Sequence, residues 1–226
     1  MINFKDFLTE GVYDKHIFKG FFIAGGPGSG KSWVSARTLM GQGMKVINSD
    51  DGFERYAKQA GLNLKQMGAF TAKQTKLKDR LRTRAKRGTA YMHQHAIDGR
   101  LGLIMDSTAR DTARIESEAQ SMRYLGYDTY MVFVNTTLEV ALKRNELRPR
   151  SVPEPIVINS HRQIQKNIPK LRAIFGSKNF VEVDNSVEAE DVNIKVYKEI
   201  QKLVRSKPSS PMAQAWINNE LAKKRR

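Results

Sequence analysis

Three common features are missing from this 226-residue chain. It has no cysteine, which excludes disulfides, thiolate metal sites and a cysteine nucleophile. No apolar run approaches the roughly 20 residues that a helix needs to cross a bilayer. The first residues carry Lys5, Asp6 and Glu10 within their apolar pattern, which a secretory signal would not. We therefore expect a cytoplasmic protein with no membrane segment.

Acidic residues are also scarce, with 23 Asp and Glu against 39 Lys and Arg. The net charge is +16 and the isoelectric point is about 10.0. Such a field attracts polyanions, which include nucleic acid, nucleotides and acidic lipid headgroups. The remaining composition, 40% hydrophobic and 27% charged, is typical of a globular protein with one sizeable core.

Five short apolar runs alternate with helical patterns along the chain. The runs are residues 21–24, 44–48, 101–106, 129–134 and 180–184. The helices predicted between and after them are 31–40, 53–60, 62–100 with a new start at Thr89, 112–125, 137–144, 160–175 and 187–204. Continuous apolar strands that alternate with helices favour a parallel sheet covered on both faces. The sequence therefore predicts a three-layer α/β fold with a mostly parallel five-stranded sheet.

The first apolar run ends in G-x-x-x-x-G-K-S, the pattern of a phosphate-binding loop (P-loop). In such a loop successive backbone N–H groups cradle a β-phosphate. Lys31 adds a charge at the β and γ oxygens, and the Ser32 hydroxyl is placed to bind Mg²⁺. The following helix directs its positive end at the phosphates. The pattern predicts ATP and Mg²⁺ binding by Gly25, Gly26, Pro27, Gly28, Ser29, Gly30, Lys31, Ser32 and Trp33.

Aspartates follow the second and third strands, where a parallel sheet places its ligands. Asp106 is expected to hold Mg²⁺ beside Ser32, although a strand-end aspartate can also cap a turn. Asp50 is the candidate general base that takes the proton of an attacking hydroxyl, and Asp51 is the second candidate. Either of these two could instead cap the helix predicted at 53–60.

Two basic segments have candidate roles in binding phosphates. Residues 144–156 are rich in proline and contain Arg144, Arg148 and Arg150, which could fold over the γ-phosphate as a lid or remain a solvated loop. The helix predicted at 62–100 is a basic insertion, and within its residues 73–87 one acid, Asp79, opposes eight cations. These are Lys73, Lys76, Lys78, Arg80, Arg82, Arg84, Lys86 and Arg87.

Taken together, residues 20–185 resemble the P-loop kinases grouped around phage polynucleotide 5′-kinase and the zeta toxins. The resemblance rests on five segments: Gly26 to Ser32, Ile47-Asn48-Ser49-Asp50-Asp51, Ile104 to Thr108, Val132-Phe133-Val134, and Lys143-Arg144-Asn145 with Arg148 beyond it. It implies that Asp50 is the base and that Arg148 contacts the phosphates from the lid. The 5′-kinase pattern has an arginine three residues after the base, whereas this chain has Phe53.

The acceptor of the phosphoryl group remains open between two substrates. A nucleic-acid 5′-hydroxyl suits the basic helix, and we expect nucleic acid as the partner. A UDP-amino sugar such as UDP-N-acetylglucosamine, as in zeta toxins, suits the same fold without an extended basic surface. A protein of a different class, a non-catalytic nucleotide- and DNA-binding virion component, would need the loop and the basic surface but no base.

The two ends of the chain lie outside the predicted kinase domain at residues 11–205. Residues 1–10 form an amphipathic segment that resembles the capsid-targeting leaders of T-even-like phages, which are cleaved after a motif such as Leu8-Thr9-Glu10. The alternative is a terminal helix packed on the core. The leader interpretation predicts packaging in a phage virion. Residues 206–226 are expected to form a linker and a basic tail.

Overall fold

The computed structural model describes residues 12–39, 43–147, 152–187 and 190–224, so the predicted leader lies outside it. One sheet of five strands has the order β2-β3-β1-β4-β5, and all neighbouring strands are parallel. The strands are β1 Lys19–Ala24, β2 Lys45–Ile47, β3 Leu103–Ser107, β4 Asp128–Asn135 and β5 Phe180–Asp184. The predicted fold class is confirmed.

Helices connect these strands and cover the sheet. They are α1 Lys31–Thr38, α2 Ser49–Gln59, α3 Ala72–Asp98, α4 Thr112–Tyr124, α5 Leu138–Glu146, α6 Glu154–Phe175, α7 Glu190–Arg205 and α8 Pro211–Lys224. Short 3-10 helices occupy Leu64–Ala69 and Ser177–Asn179. None of the helices in the described ranges is long and apolar enough to cross a membrane.

The central strand β1 sends its side chains alternately to the two faces of the sheet, as the period of two in a strand requires. Phe21 and Ile23 are buried on one face with Val34 of α1 and with Val196 and Ile200 of α7. This cluster fixes the helix that follows the glycine-rich loop against the sheet.

The opposite face of β1 contributes Phe22 to a second core cluster. Phe22 packs with Ile115 of α4 and with Leu171 and Phe175 of α6. The Phe22 and Phe175 rings lie 5.3 Å apart between centroids. The sheet is therefore covered on both faces, which gives three layers and places the glycine-rich loop at the carboxyl edge of the central strand.

Two helices differ from their predicted bounds in ways that affect the site. Helix α2 begins at Ser49 rather than Phe53, so Asp50 and Asp51 lie in its first turn. Helix α3 runs without a break to Asp98, and the predicted new start at Thr89 is wrong. A glycine such as Gly88 costs a helix interior only about 1 kcal/mol, which the continuing helix offsets.

The segment at 206–226 differs from the expected linker and tail because residues 211–224 form a helix that packs on the domain. Ala213 is fully buried, and the rings of Trp216 and Phe18 lie 5.5 Å apart in an edge-on contact. The backbone N–H of Ser209 donates to Asp128, which also binds the buried ammonium of Lys19 at 2.6 Å. The apolar residues of this helix, Ala213 and Trp216, hold it against the domain.

Candidate active site

The loop between β1 and α1 has a backbone that only glycine adopts without strain at two positions. Gly28 has φ of 78° and Gly30 has φ of 84°, both in the left-handed region. A Cβ on Gly28 would collide with the carbonyl of Ala141, and one on Gly30 would collide with the side-chain amide of Asn185. Neighbouring elements therefore hold the loop in one conformation.

The first turn of α1 has the features of an anion site. Gly30 is its N-cap, no side chain caps it, and no acidic residue lies in its first turn. Its orphan N–H groups and the positive end of the helix dipole favour a phosphate at this position. The Ser29 hydroxyl is buried and has no hydrogen-bond partner in the described part of the chain. The predicted phosphate-binding residues therefore fit a nucleotide phosphate.

Trp33 lies in the first turn of α1 and is half-buried against the core. The guanidinium carbon of Arg37 lies 4.2 Å from the centre of its ring, within the range of a cation–π contact. The structure thus gives Trp33 a packing role, and its predicted contact with the nucleotide stays a prediction.

Arg144 is brought to the loop through Asn185. The Asn185 amide donates to the Ser29 carbonyl at 2.8 Å, and Arg144 donates to the Asn185 carbonyl at 2.7 Å. Arg144, which is predicted to bind the phosphates, is thus connected to the loop backbone through the two hydrogen bonds of Asn185. Arg148 and Arg150 lie outside the described residues, so their lid role stays a prediction.

Asn145, near the end of α5, binds the backbone of Val152. Its side-chain amide donates to the Val152 carbonyl at 2.7 Å, and its oxygen accepts from the Val152 N–H at 3.0 Å. Asn145 is 4% exposed, so these two bonds are shielded from water. A single amide therefore ties the last turn of α5 to Val152, just before α6 begins.

A small cavity of about 100 Å³ lies where the first three strands end. Its polar lining consists of Lys31, Ser32, Ser35, Asn48, Asp51 and Asp106. The ammonium of Lys31 lies 3.5 Å from Asp106 Oδ1, and Asn48 donates to Asp106 Oδ2 at 3.1 Å. The structure brings together the phosphate lysine and both predicted metal ligands, which lie 74 residues apart at Ser32 and Asp106.

The oxygen atoms of Ser32 and Asp106 are of the type that Mg²⁺ prefers. Among the described residues there is no group of three or more His, Cys, Asp or Glu that could hold a metal alone. Mg²⁺ in nucleotide sites is held by one or two protein carboxylates together with substrate phosphates. The residues of the cavity therefore fit an ion that arrives with a nucleotide.

Asp50 is separated from this cavity by its side-chain direction. Its Oδ1 accepts a hydrogen bond from Arg82 Nη2 of α3 at 3.1 Å, whereas Asp51 lines the cavity. The cap of α2 is Asn48, whose side chain accepts from the Asp50 N–H at 2.8 Å. Neither aspartate therefore serves as the helix cap, and both carboxylates remain available for chemistry.

Arg82 was not distinguished from the other cations of its helix by the sequence. Its guanidinium carbon lies 5.1 Å from the centre of the Phe53 ring, at the position where the related pattern has arginine. The approach of α3 to α2 is close because a Cβ built on Gly52 would lie 3.6 Å from that of Ala85. Only the packing of the two helices identifies Arg82 as a residue of the site.

The sequence profile of the zeta toxin family matches residues 19–207. The chain belongs to the zeta toxin family. It is a P-loop kinase, and its nucleotide is ATP. A search of curated protein sequences found no match.

Solved structures share the fold of this zeta toxin family member. The PezAT toxin–antitoxin system of Streptococcus pneumoniae aligns with a TM-score of 0.52 and 16% identity, over 88% of this chain and 89% of that chain. The AvrRxo1-ORF1:AvrRxo1-ORF2 complex aligns with a TM-score of 0.57 and 13% identity, over 84% and 69%. The Pnkp1/Rnl/Hen1 RNA repair complex aligns with a TM-score of 0.50 and 18% identity, over 69% and 47%. At these identities the likeness concerns the fold.

The carboxylate of Asp184 stabilises the turn that contains Asn185. Hydrogen bonds from the Ser186 side chain and backbone N–H hold the pKa of Asp184 below its ordinary value. The Ser186 hydroxyl also accepts from the Thr137 N–H at 3.1 Å. These bonds tie the end of β5 to the start of α5, and so keep Asn185 against the phosphate-binding loop.

Proposed function

We propose that this kinase transfers the γ-phosphoryl group of ATP to the 5′-hydroxyl of a nucleic acid. The observation that carries the phosphotransferase part is the convergence of Lys31, Ser32 and Asp106 on one cavity at the end of the central strands. Asp50 lies in the first turn of α2, next in sequence to Asp51, which lines that cavity. Donor-binding groups and a candidate base are thus adjacent.

The donor side would bind the triphosphate through the backbone N–H groups of residues 28–32 and through Lys31. Lys31 exchanges its contact with Asp106 for the β and γ oxygens of ATP. Ser32 and Asp106 would hold Mg²⁺. When bound, that ion supplies positive charge between the β and γ phosphates and offsets the charge of the transferred group.

The acceptor side would supply the base. The Asp50 carboxylate accepts the proton of the attacking hydroxyl while the hydroxyl oxygen forms a bond to the γ-phosphorus. The bond between that phosphorus and the bridging oxygen breaks at the same time, so that ADP leaves and a phosphate ester forms. Arg144, and Arg148 from the lid, would balance the charge on the equatorial oxygens.

The nucleic-acid acceptor is favoured by the charge of α3. Its residues 73–87 contain eight cations and one acid, which suits a chain of phosphates better than a single small substrate. One of the structures with the same fold belongs to an RNA repair complex. Both observations support a polynucleotide acceptor.

A UDP-amino sugar, UDP-N-acetylglucosamine, is the second candidate, and the family match favours it. It needs the same donor side and the same base, and it makes no use of the row of cations on α3. An assay with both substrates can therefore distinguish the two acceptors, whereas mutation of the donor-side residues cannot.

The experiment is transfer of label from γ-labelled ATP to a panel of acceptors. The panel contains 5′-hydroxyl DNA, 5′-hydroxyl RNA, nucleosides and UDP-N-acetylglucosamine. Label on the oligonucleotides that alkaline phosphatase removes supports the proposal. If only the UDP-sugar is labelled, the acceptor is the UDP-sugar and not a nucleic acid. If neither acceptor is labelled although the protein binds ATP, transfer to both is contradicted.

A separate proposal concerns residues 1–10, which lie outside the described ranges. We infer from their pattern that they direct the protein into a phage capsid and are cut after Glu10. Mass spectrometry of purified virions should find a mature chain that starts at Gly11. Virions that contain the intact leader, or no such protein, contradict this proposal.

A further inference from the structure

The cations of α3 do not act as one surface, because the helix presents them in different directions. One side of the helix packs against α2 through Ala85, which is 3% exposed. Arg82 lies next to that side and binds Asp50. Arg84 lies over the Tyr56 ring of α2 at 4.7 Å, and Lys76, Arg80 and Arg87 are exposed.

A groove of about 980 Å³ runs along another side of α3. Its lining residues recur at the three- and four-residue spacing of one helix face. They are Phe70, Ala72, Thr75, Lys76, Asp79, Arg80, Thr83, Arg84 and Arg87. Neither Arg82 nor Asp50 is among these residues, so the groove does not include that ion pair.

The charge of the groove is almost entirely positive. Lys76, Arg80 and Arg84 follow one another at intervals of four residues, where like charges destabilise a helix. The one acid, Asp79, is paired outside this row with Lys78 at 3.2 Å. The groove therefore has an unbalanced charge that a polyanion would offset.

Shape and chemistry favour a single strand over a duplex. The cations from Lys76 to Arg87 extend over about 16 Å of helix, which suits a few successive phosphates. Phe70, half-buried at one end of the groove, offers a flat ring on which a base can stack. Thr75 and Thr83 add hydroxyl groups along the same side. A cationic groove with an aromatic platform is the arrangement that single-stranded nucleic acid uses.

We infer that this groove is a binding site for the single strand of the acceptor, distinct from the catalytic site that Asp50 and Arg82 form. The inference rests on the proposed nucleic-acid acceptor. The groove holds the strand at a distance from its 5′ end, so that long acceptors gain affinity which a dinucleotide cannot.

The test uses two triple variants with the same change in charge. Lys76→Ala, Arg80→Ala and Arg84→Ala alter the groove. Arg162→Ala, Lys166→Ala and Lys170→Ala remove three exposed cations at the same four-residue spacing from α6. The probe is a 16-nucleotide oligothymidine with a fluorescent label at its 3′ end, and the readout is anisotropy between 50 and 200 mM salt.

The groove triple should bind the probe at least about tenfold more weakly than the control triple, with a salt slope smaller by about 2. It should raise KM for a 16-nucleotide 5′-hydroxyl acceptor and leave KM for a dinucleotide unchanged. Phe70→Leu, which keeps apolar volume but removes the ring, should weaken binding without changing the salt slope.

Equal binding by the two triples, or an equal rise in KM for long and short acceptors, overturns the inference. If the oligonucleotide binds through the groove but only the UDP-sugar is phosphorylated, the proposed acceptor fails and the groove stands. If the oligonucleotide is phosphorylated and the groove triple matches the control, the groove fails and the proposed function stands.

Discussion

The donor and acceptor sides that we propose for this site are built in opposite ways. On the donor side the loop backbone is enclosed by neighbouring elements, as Asn185 and Ala141 leave room for no Cβ at Gly30 and Gly28. On the acceptor side Asp50 and Arg82 have side chains that are 60% and 41% exposed. The first is fixed by packing and the second by one ion pair at the surface.

This difference has a physical consequence for what each side can do. A rigid ring of donors binds a constant group, the triphosphate, without reorganisation. An exposed ion pair contributes only about 0–1 kcal/mol to stability and can rearrange when a substrate arrives. We therefore expect donor-side changes to abolish binding and acceptor-side changes to slow transfer.

Lys31→Ala should have the largest effect, because it removes the one side-chain cation of the loop. Transfer should fall by at least about a thousandfold. Titration calorimetry should also find a loss of ATP binding. Lys166→Ala, an exposed lysine of α6, is the control and should behave as wild type. Phosphoryl transfer at the wild-type rate in the Lys31 variant would contradict the proposed role of Lys31 in binding the triphosphate.

Asp50→Asn should separate binding from chemistry. The amide cannot accept the proton, so transfer should fall by about a hundred- to a thousandfold. ATP affinity should stay within a few-fold of wild type, because Asp50 does not line the phosphate cavity. Asp51→Asn is the matched comparison on the next residue. If Asp51→Asn loses transfer and Asp50→Asn keeps it, the base is Asp51.

Asn185→Ala should weaken ATP binding without touching any group that contacts the nucleotide. It removes the hydrogen bond to the buried Ser29 carbonyl, and an unpaired buried group costs about 1–3 kcal/mol. The dissociation constant for ATP should rise about tenfold, as measured by calorimetry. Asn179→Ala, which removes a similar amide bond to the Phe175 carbonyl, should leave it unchanged.

Arg82→Ala should lower kcat by about tenfold through the orientation of Asp50, with no change in KM for ATP. Arg82→Lys keeps the charge and should recover part of the rate. Steady-state kinetics separates the two parameters, with the exposed Lys166→Ala as a control of equal charge change. A fall in ATP affinity equal to the fall in kcat would assign Arg82 a merely structural role.

The smallest expected effect is a pH dependence from Asp184. Its pKa is lower in the folded chain than in the unfolded chain, so its contribution is fully present above about pH 3.9. That contribution, less than about 1 kcal/mol after solvent screening, is lost as the pH falls through the folded-state pKa. The free energy of unfolding, measured with urea between pH 7 and pH 3, should decline less steeply for Asp184→Asn than for wild type. An identical decline would contradict this role.

The donor side could be predicted from sequence because its residues are close together in the chain. Gly25 to Ser32 form one motif, and the strand before it and the helix after it follow from local apolar patterns. Asp106 could be placed because parallel strands end at the same edge of the sheet. Local rules also gave all five strands.

The acceptor side could not be predicted in the same way. Arg82 reaches Asp50 across 32 residues, and that contact depends on how closely α3 packs on α2 at Gly52 and Ala85. The eight cations of α3 have the same pattern in sequence, and only the fold puts Arg82 at Asp50 and Lys76, Arg80, Arg84 and Arg87 along the groove. The roles of Asn185 and Asn145 likewise depend on tertiary contacts that no short motif encodes.

The most direct test of the account is a crystal structure with a non-hydrolysable ATP analogue, Mg²⁺ and a 5′-hydroxyl dinucleotide. We predict that backbone N–H groups of residues 28–32 surround the β-phosphate and that the Asp50 carboxylate lies within hydrogen-bond reach of the 5′-hydroxyl. A structure with that carboxylate farther from the γ-phosphorus than one intervening water could bridge would contradict the account and leave nucleotide binding alone.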